Sequence, residues 1–159
     1  MSTATAPPEL AELARLSEAA PGLDLLILFG SRARGDAREG SDWDLGYLAA
    51  EPFDPDGFRV EVTHALGTER VDLVDLRRAN GLLRYRAAAD AQVIFDRDGE
   101  RFYQFWFEAV TFWLDIKDIV RPAYEALLEE MERGAAPAPA GDTTGEEARK
   151  EVEEYFRAS

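Results

Sequence analysis

The sequence predicts an α/β (α+β) fold in which a small mixed β-sheet is packed with helices. Two observations predict it. Short strand-like runs alternate with segments of helical periodicity, and Leu23–Phe29 is a nearly continuous apolar run, which is typical of a strand buried on both faces. The length of 159 residues suits one compact domain with a modest core and appended helices.

The individual elements follow from apolar periodicity and from the residues that start and stop each segment. Pro21-Gly22 ends the first helix, and Gly67 is well placed to end a later one. The predicted order is helix Pro8–Ala20, strand Leu23–Phe29, short helix Arg32–Arg38, strand Ser41–Ala50, helix Phe58–Leu66, strand Glu69–Leu76, helix Asn80–Ala89 and strand Ala91–Phe95.

The pattern changes after residue 96. We expect a core domain over residues 8–96 and an aromatic helical segment over residues 98–133 that packs on the core or on a partner. Pro122 predicts a kink, or two helices that meet near Val120. Residues 134–145 have the composition of a flexible linker, and residues 146–159 that of a terminal amphipathic helix.

Composition excludes several kinds of site. The chain has no cysteine, so disulfides, thiolate catalysis and cysteine-based metal centres are excluded. His64 is the single histidine, so a metal would be held by carboxylate oxygens and would be a hard ion such as magnesium. The net charge of −14 repels phosphate backbones, so we expect no direct nucleic-acid binding. The sequence has no long apolar run and no secretion signal, and we therefore expect no membrane association and a cytoplasmic location.

The stretch FGSRARGDAREGSDWDL at residues 29–45 carries the main functional signal. Gly30 allows a sharp turn after the buried strand and lets a phosphate approach where a Cβ would block it. Ser31 offers a hydroxyl and an amide at the start of the predicted short helix, whose amides form an anion site. The sequence therefore predicts a phosphate-binding turn at Gly30-Ser31.

Two carboxylates follow on the next predicted strand. Side chains alternate along a strand, so Asp42 and Asp44 point to one face and Trp43 to the other. Like charges on one face repel unless a cation lies between them, and magnesium accepts such oxygen ligands together with phosphate oxygens.

A third carboxylate lies in the sequence VDLV. Asp72 is expected on an adjacent strand, where it could accept the proton of an attacking hydroxyl or hold a second metal ion. Asp75, three residues later, would face the opposite side of the sheet.

A Gly-Ser pair after a buried strand, an Asp-x-Asp ten residues later and a following VDLV together resemble the minimal nucleotidyltransferase (MNT) family of the DNA-polymerase-β superfamily, over roughly Leu10–Phe95. The resemblance implies a nucleotidyltransferase fold with a C-terminal helical extension. It matches Gly30, Ser31 and Arg34 to nucleotide-binding positions and Asp42, Asp44 and Asp72 to catalytic, metal-binding ones. Trp43 stands where the family more often has a small aliphatic residue.

The resemblance also implies an activity and a partner. Many MNT proteins are encoded beside a HEPN ribonuclease toxin and act as its antitoxin, by AMPylation: AMP is transferred from ATP to a tyrosine hydroxyl near the active site of the toxin. The implied components are Mg²⁺ (two ions), ATP as substrate and a hetero-oligomer with the toxin. Two alternatives stay open at this point: transfer to a small molecule such as an aminoglycoside, and steric binding of the partner without catalysis.

The aromatic segment Phe102–Trp113 is apolar over two helical faces. One predicted stripe is formed by Phe102, Phe105, Trp106, Ala109, Trp113 and Ile116, and the other by Tyr103, Phe107, Val110 and Leu114. One stripe can dock on the sheet. The other predicts either extra core, built with the helical segment that contains Leu127, Leu128 and Met131, or a surface for a partner protein.

Overall fold

The computed structural model describes residues 7–132. The elements are α1 (Pro8–Ala19), β1 (Leu23–Phe29), α2 (Gly30–Arg34), β2 (Trp43–Ala49), α3 (Pro55–Leu66), β3 (Val71–Asp75), α4 (Gly81–Asp90), β4 (Gln92–Asp96) and α5 (Arg101–Glu132). The chain divides into two compact units, one ending at Trp113 and the other beginning at Leu114. The predicted linker at 134–145 and the predicted terminal helix at 146–159 lie outside the described residues.

The four strands form one sheet in the order β3-β2-β1-β4. The central strand β1 is antiparallel to both β2 and β4, whereas β2 and β3 are parallel. This mixed sheet with flanking helices confirms the predicted fold class.

The core lies on both faces of the sheet, because β1 carries apolar side chains on each side. On one face Leu26 and Leu28 pack with buried residues of α1 and α3. On the other face Leu25 and Ile27 pack with α4 and with the beginning of α5. The two layers hold β1 rigidly and thereby fix the turn that follows it.

Helix ends are set by local capping. The carboxylate of Asp54 accepts a hydrogen bond from the Gly57 amide at 3.2 Å, and Pro55 occupies the first turn, so α3 starts three residues before the predicted Phe58. Gly67 ends α3 in the left-handed conformation, as predicted.

Helix α5 is one continuous helix through Pro122, so the predicted alternative of two helices meeting near Val120 is wrong. In the first unit, Phe105, Ala109 and Trp113 are buried in the stripe that docks on the core. Trp106, assigned to the same stripe, is instead 38% exposed. The side chains of Leu127, Leu128 and Met131 lie outside the description. No helix between residues 7 and 132 is long and apolar enough to cross a membrane.

Candidate active site

Topology brings three chain segments to one edge of the sheet. Because β1 is antiparallel to β2 and β2 is parallel to β3, the end of β1 meets the beginnings of the other two strands. Phe29, the last residue of β1, is paired with Asp44, and Asp44 is paired with Asp72. The turn at Gly30-Ser31 and the carboxylates of β2 and β3 therefore lie together, although 42 positions separate Gly30 from Asp72.

The turn after β1 depends on Gly30. Its φ angle is +71°, which favours glycine, and a Cβ built there would lie 2.3 Å from Oδ2 of Asp44. Helix α2 starts here and ends at Arg34, because Gly35 adopts the left-handed conformation and donates its amide to the Ser31 carbonyl. The observed helix therefore begins two residues before the predicted Arg32 and ends four residues before the predicted Arg38, and Ser31 lies within its first turn.

The surroundings of Asp44 raise the pKa of its carboxyl. Its carboxylate is partly buried against the turn, while those of Asp42 and Asp72 are exposed. Burial, followed by the negative charges of Asp72 and Asp42, raises the pKa of Asp44 to about 6. Asp44 is paired with Asp72 across the two strands and follows Asp42 by two residues, so the three carboxylates lie in one neighbourhood.

This perturbation predicts a pH-dependent stability. The folded state holds the Asp44 proton more tightly than the unfolded state, whose carboxyl has the ordinary pKa near 3.8. Folding is therefore penalised as pH rises through about 4 to 6, and the penalty is complete above that window. We expect Asp44→Asn to raise the free energy of unfolding by about 1–3 kcal/mol at pH 7.5 without metal, and by almost nothing at pH 4.

Urea unfolding of both proteins at several pH values measures this difference. Asp118→Asn, at an exposed position of α5, is the matched control and should show no such pH-dependent gain. An Asp44→Asn protein that gains no stability as pH rises would contradict the buried, mutually repelling arrangement.

Arginines surround the carboxylates. Arg34 donates to Asp90 at 2.7 Å and to Asp36 at 3.4 Å, so the predicted nucleotide-binding arginine is held towards the end of α4. The positive charges of Arg34 and of Arg86 both act to lower the pKa of Asp44. Arg86, on α4, was missed from the sequence, because only the packing of α4 beside the strand ends brings it near the acids.

Two further charged residues have defined partners. Arg32 donates to the Ser41 carbonyl and stacks over the ring of Trp43. Asp75 was expected to face the opposite side of the sheet from Asp72, and it lies away from the site, at the other end of β3 beside Arg77 and Arg78.

The donor set is compatible with magnesium. Within residues 7–132, no group of three or more carboxylate or histidine side chains is arranged as a metal cage. Magnesium does not require one, because it binds through one or two protein carboxylates and completes its shell with water and substrate phosphates. Asp42 and Asp44 carry such oxygens, and the absence of a side chain at Gly30 lets the turn approach the Asp44 carboxylate closely.

A mixed sheet with a glycine turn at the end of its central strand, and with carboxylates on the two successive strands to one side of it, is typical of a nucleotidyltransferase. Residues 12–100 match the family model described as polymerase beta, nucleotidyltransferase. The chain belongs to this polymerase-β nucleotidyltransferase family, as the resemblance predicted.

The individual relatives have low sequence identity to this chain. The protein adenylyltransferase MntA of Aphanizomenon flos-aquae is 26% identical over 142 residues, which cover 79% of this chain and 92% of the relative. A toxin–antitoxin crystal structure with AMP-PNP has a TM-score of 0.64 at 23% identity and covers 77% of this chain and 99% of its own. An MNT antitoxin in complex with the tri-AMPylated HEPN toxin of Shewanella oneidensis has a TM-score of 0.60 at 21% identity, with coverages of 76% and 96%. These structures share the fold.

Proposed function

We propose that this chain is a magnesium-dependent protein adenylyltransferase that transfers AMP from ATP to a tyrosine hydroxyl of a HEPN ribonuclease toxin, and so acts as an antitoxin. The observation that carries the proposal is the meeting of the Gly30-Ser31 turn with Asp42, Asp44 and Asp72 at one sheet edge. Similarity to MntA and to MNT antitoxins bound to HEPN toxins supports the choice of a protein acceptor.

In this mechanism the chain mainly holds reactants in position. The amides of Gly30 and Ser31 bind the β- and γ-phosphates, and Arg34 adds positive charge beside them. Asp42 and Asp44 would hold magnesium, which when bound supplies neutralisation of the charge on the phosphoryl oxygens. At neutral pH Asp44 is mainly ionised, since its pKa of about 6 lies below the pH.

Asp72 has two roles open to it. It either accepts the proton of the acceptor hydroxyl or provides an oxygen for a second metal ion. In both cases the hydroxyl loses its proton, to Asp72 in the first and to solvent water in the second. Its oxygen forms a bond to the α-phosphorus, the bond between the α-phosphorus and the bridging oxygen breaks, and pyrophosphate leaves.

The proposal is tested with the purified chain, the product of the adjacent gene, Mg²⁺ and ATP, followed by intact masses of both proteins. We expect one or more AMP units on the partner, and none when Asp42→Asn replaces the wild type. Asp118→Asn is the matched control and should transfer normally. A stable complex in which neither protein gains mass would contradict the enzymatic proposal and favour steric inhibition or a small-molecule acceptor.

The exposed face of α5 is where we propose that the HEPN toxin docks. Tyr103, Trp106 and Phe107 are 68%, 38% and 56% exposed, and the rings of Tyr103 and Trp106 stack with centroids 6.4 Å apart. Aromatic side chains concentrated on one exposed face are enriched at protein interfaces.

We expect Tyr103→Ser/Phe107→Ser to weaken toxin binding at least about tenfold, because truncation of an aromatic hot spot at an interface costs about 2 kcal/mol or more. Calorimetric titration with the toxin measures this, and the melting temperature of the free chain should change little. Gln104→Ser, on an exposed position of the same helix, is the control. Unchanged affinity in the double variant would place the docking surface elsewhere.

A further inference from the structure

Asp42 lies at the end of an exposed loop whose backbone is bound by side chains from elsewhere in the chain. Residues 35–42 connect α2 to β2, and all except Ser41 are exposed. Gly35 and Gly40 have φ angles of +82° and +79°, so the chain turns sharply at both. A carboxylate on such a segment has many accessible positions unless other groups hold the backbone.

Two arginines hold the two carbonyls that precede Asp42. Arg32, on α2, donates from Nη2 to the Ser41 carbonyl at 2.7 Å and from Nε to the same oxygen at 3.2 Å. Arg70, immediately before β3, donates from Nη1 to the Gly40 carbonyl. The consecutive carbonyls of residues 40 and 41 are thus bound by two separate parts of the chain: helix α2, which begins at the Gly30-Ser31 turn, and the residue before the strand that carries Asp72.

The arginines are themselves fixed by the chain. The guanidinium carbon of Arg32 lies 4.4 Å from the centre of the Trp43 ring, and Trp43 packs on the core. The carbonyl of Arg70 accepts the Trp43 amide at 2.9 Å, which ties the start of β2 to the residue before β3. Trp43 therefore contacts both arginines. Its ring packs against the guanidinium of Arg32, and its amide donates to the carbonyl of Arg70.

We propose that Arg32 and Arg70 are positioning residues that set the place of the Asp42 carboxylate relative to Gly30 and Asp72, with Trp43 as their support. The inference rests on the proposed metal-binding role of Asp42 and Asp44. It gives Trp43, the mild departure from the family pattern, a role specific to this chain. Neither arginine touches the reacting atoms in this proposal, so the effect is on how well the carboxylate is placed.

Mn²⁺ binding with AMP-PNP, followed by the EPR signal of free Mn²⁺, measures the placement of the ligands without turnover. We expect the Kd for Mn²⁺ to rise about tenfold or more in Arg32→Ala and in Arg70→Ala, as is usual when a group that orients a metal ligand is removed. Hydrogen exchange of the amides of residues 40–42 should become at least about tenfold faster in both variants. The overall melting temperature should change little, because the loop is exposed.

Conservative variants separate positioning from charge. Lysine cannot reproduce two hydrogen bonds and flat stacking on an indole, so Arg32→Lys should remain defective. Arg70 uses a single hydrogen bond, and Arg70→Lys should recover most of the Mn²⁺ affinity. Arg38→Ala is the matched control: this exposed arginine lies in the same loop, and only its backbone amide and carbonyl bind Ser41. Trp43→Leu, which keeps an apolar residue on the core, should resemble Arg32→Ala.

The Mn²⁺ measurements distinguish failure of this inference from failure of the proposed function. A wild-type chain that binds no Mn²⁺ beyond the Asp42→Asn level would overturn the metal site and the inference with it. A wild type that binds Mn²⁺, with equal affinity and unchanged amide exchange in Arg32→Ala and Arg70→Ala, would overturn the positioning role alone.

Discussion

Replacing Asp42 or Asp44 by asparagine is expected to lower AMP transfer at least about a thousandfold while the chain stays folded, because in-line displacement at phosphorus depends on the metal ions that these carboxylates would hold. An amide has nearly the shape of a carboxylate but lacks its charge and binds magnesium poorly. The side chain of Asp44 lies among like charges, so its neutralisation also removes repulsion.

The two effects of Asp44→Asn therefore have opposite signs: activity falls and stability at neutral pH rises. Transfer is measured in single-turnover reactions with labelled ATP, and stability by the melting temperature at pH 7.5 without metal. Mg²⁺ with AMP-PNP should raise the melting temperature of the wild type and leave that of the variant unchanged. Full transfer activity in Asp42→Asn would refute the metal assignment.

Gly30→Ala is the second large expected effect. The new Cβ would lie 2.3 Å from Oδ2 of Asp44, so the carboxylate or the turn must move, and φ of +71° is itself unfavourable for alanine. We expect transfer to fall about a hundredfold, because small displacements of catalytic groups have effects of this size, and stability to fall by about 1–3 kcal/mol.

Gly67→Ala is the matched control for this change. Gly67 has a similar φ of +65°, but no heavy atom of the described part of the chain lies within 4 Å of the added Cβ. It should therefore show the backbone cost and retain full transfer. Equal activity losses in the two variants would mean that backbone strain, and not the approach of Gly30 to Asp44, accounts for the effect.

Much of the site could be predicted from sequence because its chemistry is concentrated in one short stretch. Gly30, Ser31, Asp42 and Asp44 lie within 15 residues, and strand alternation predicts both acids on one face. The strand begins at Trp43, however, so Asp42 lies in the loop before it. The bounds of α2 and α3 were predicted less well. The left-handed Gly35 and the capping Asp54 set these ends, and such local hydrogen bonding leaves no periodic pattern.

The sequence also predicted the buried face of helix α5 only in part. Its spacing predicted that one stripe would dock, and Phe105, Ala109 and Trp113 are buried. The position of Trp106 could not be predicted, because adjacent residues on a helix differ by about 100° and the edge of a buried stripe depends on the neighbouring element.

The sequence by itself determined the fold class and predicted a phosphate-binding turn and a pair of carboxylates, since these signals lie in residues close together in the chain. Only the tertiary structure decided that Asp72 stands opposite Asp44, that Arg86 acts on the site, and that Arg32 and Arg70 bind the loop before Asp42. These relations join residues on different elements. Strand order and helix packing set their distances, and no local periodicity encodes that geometry.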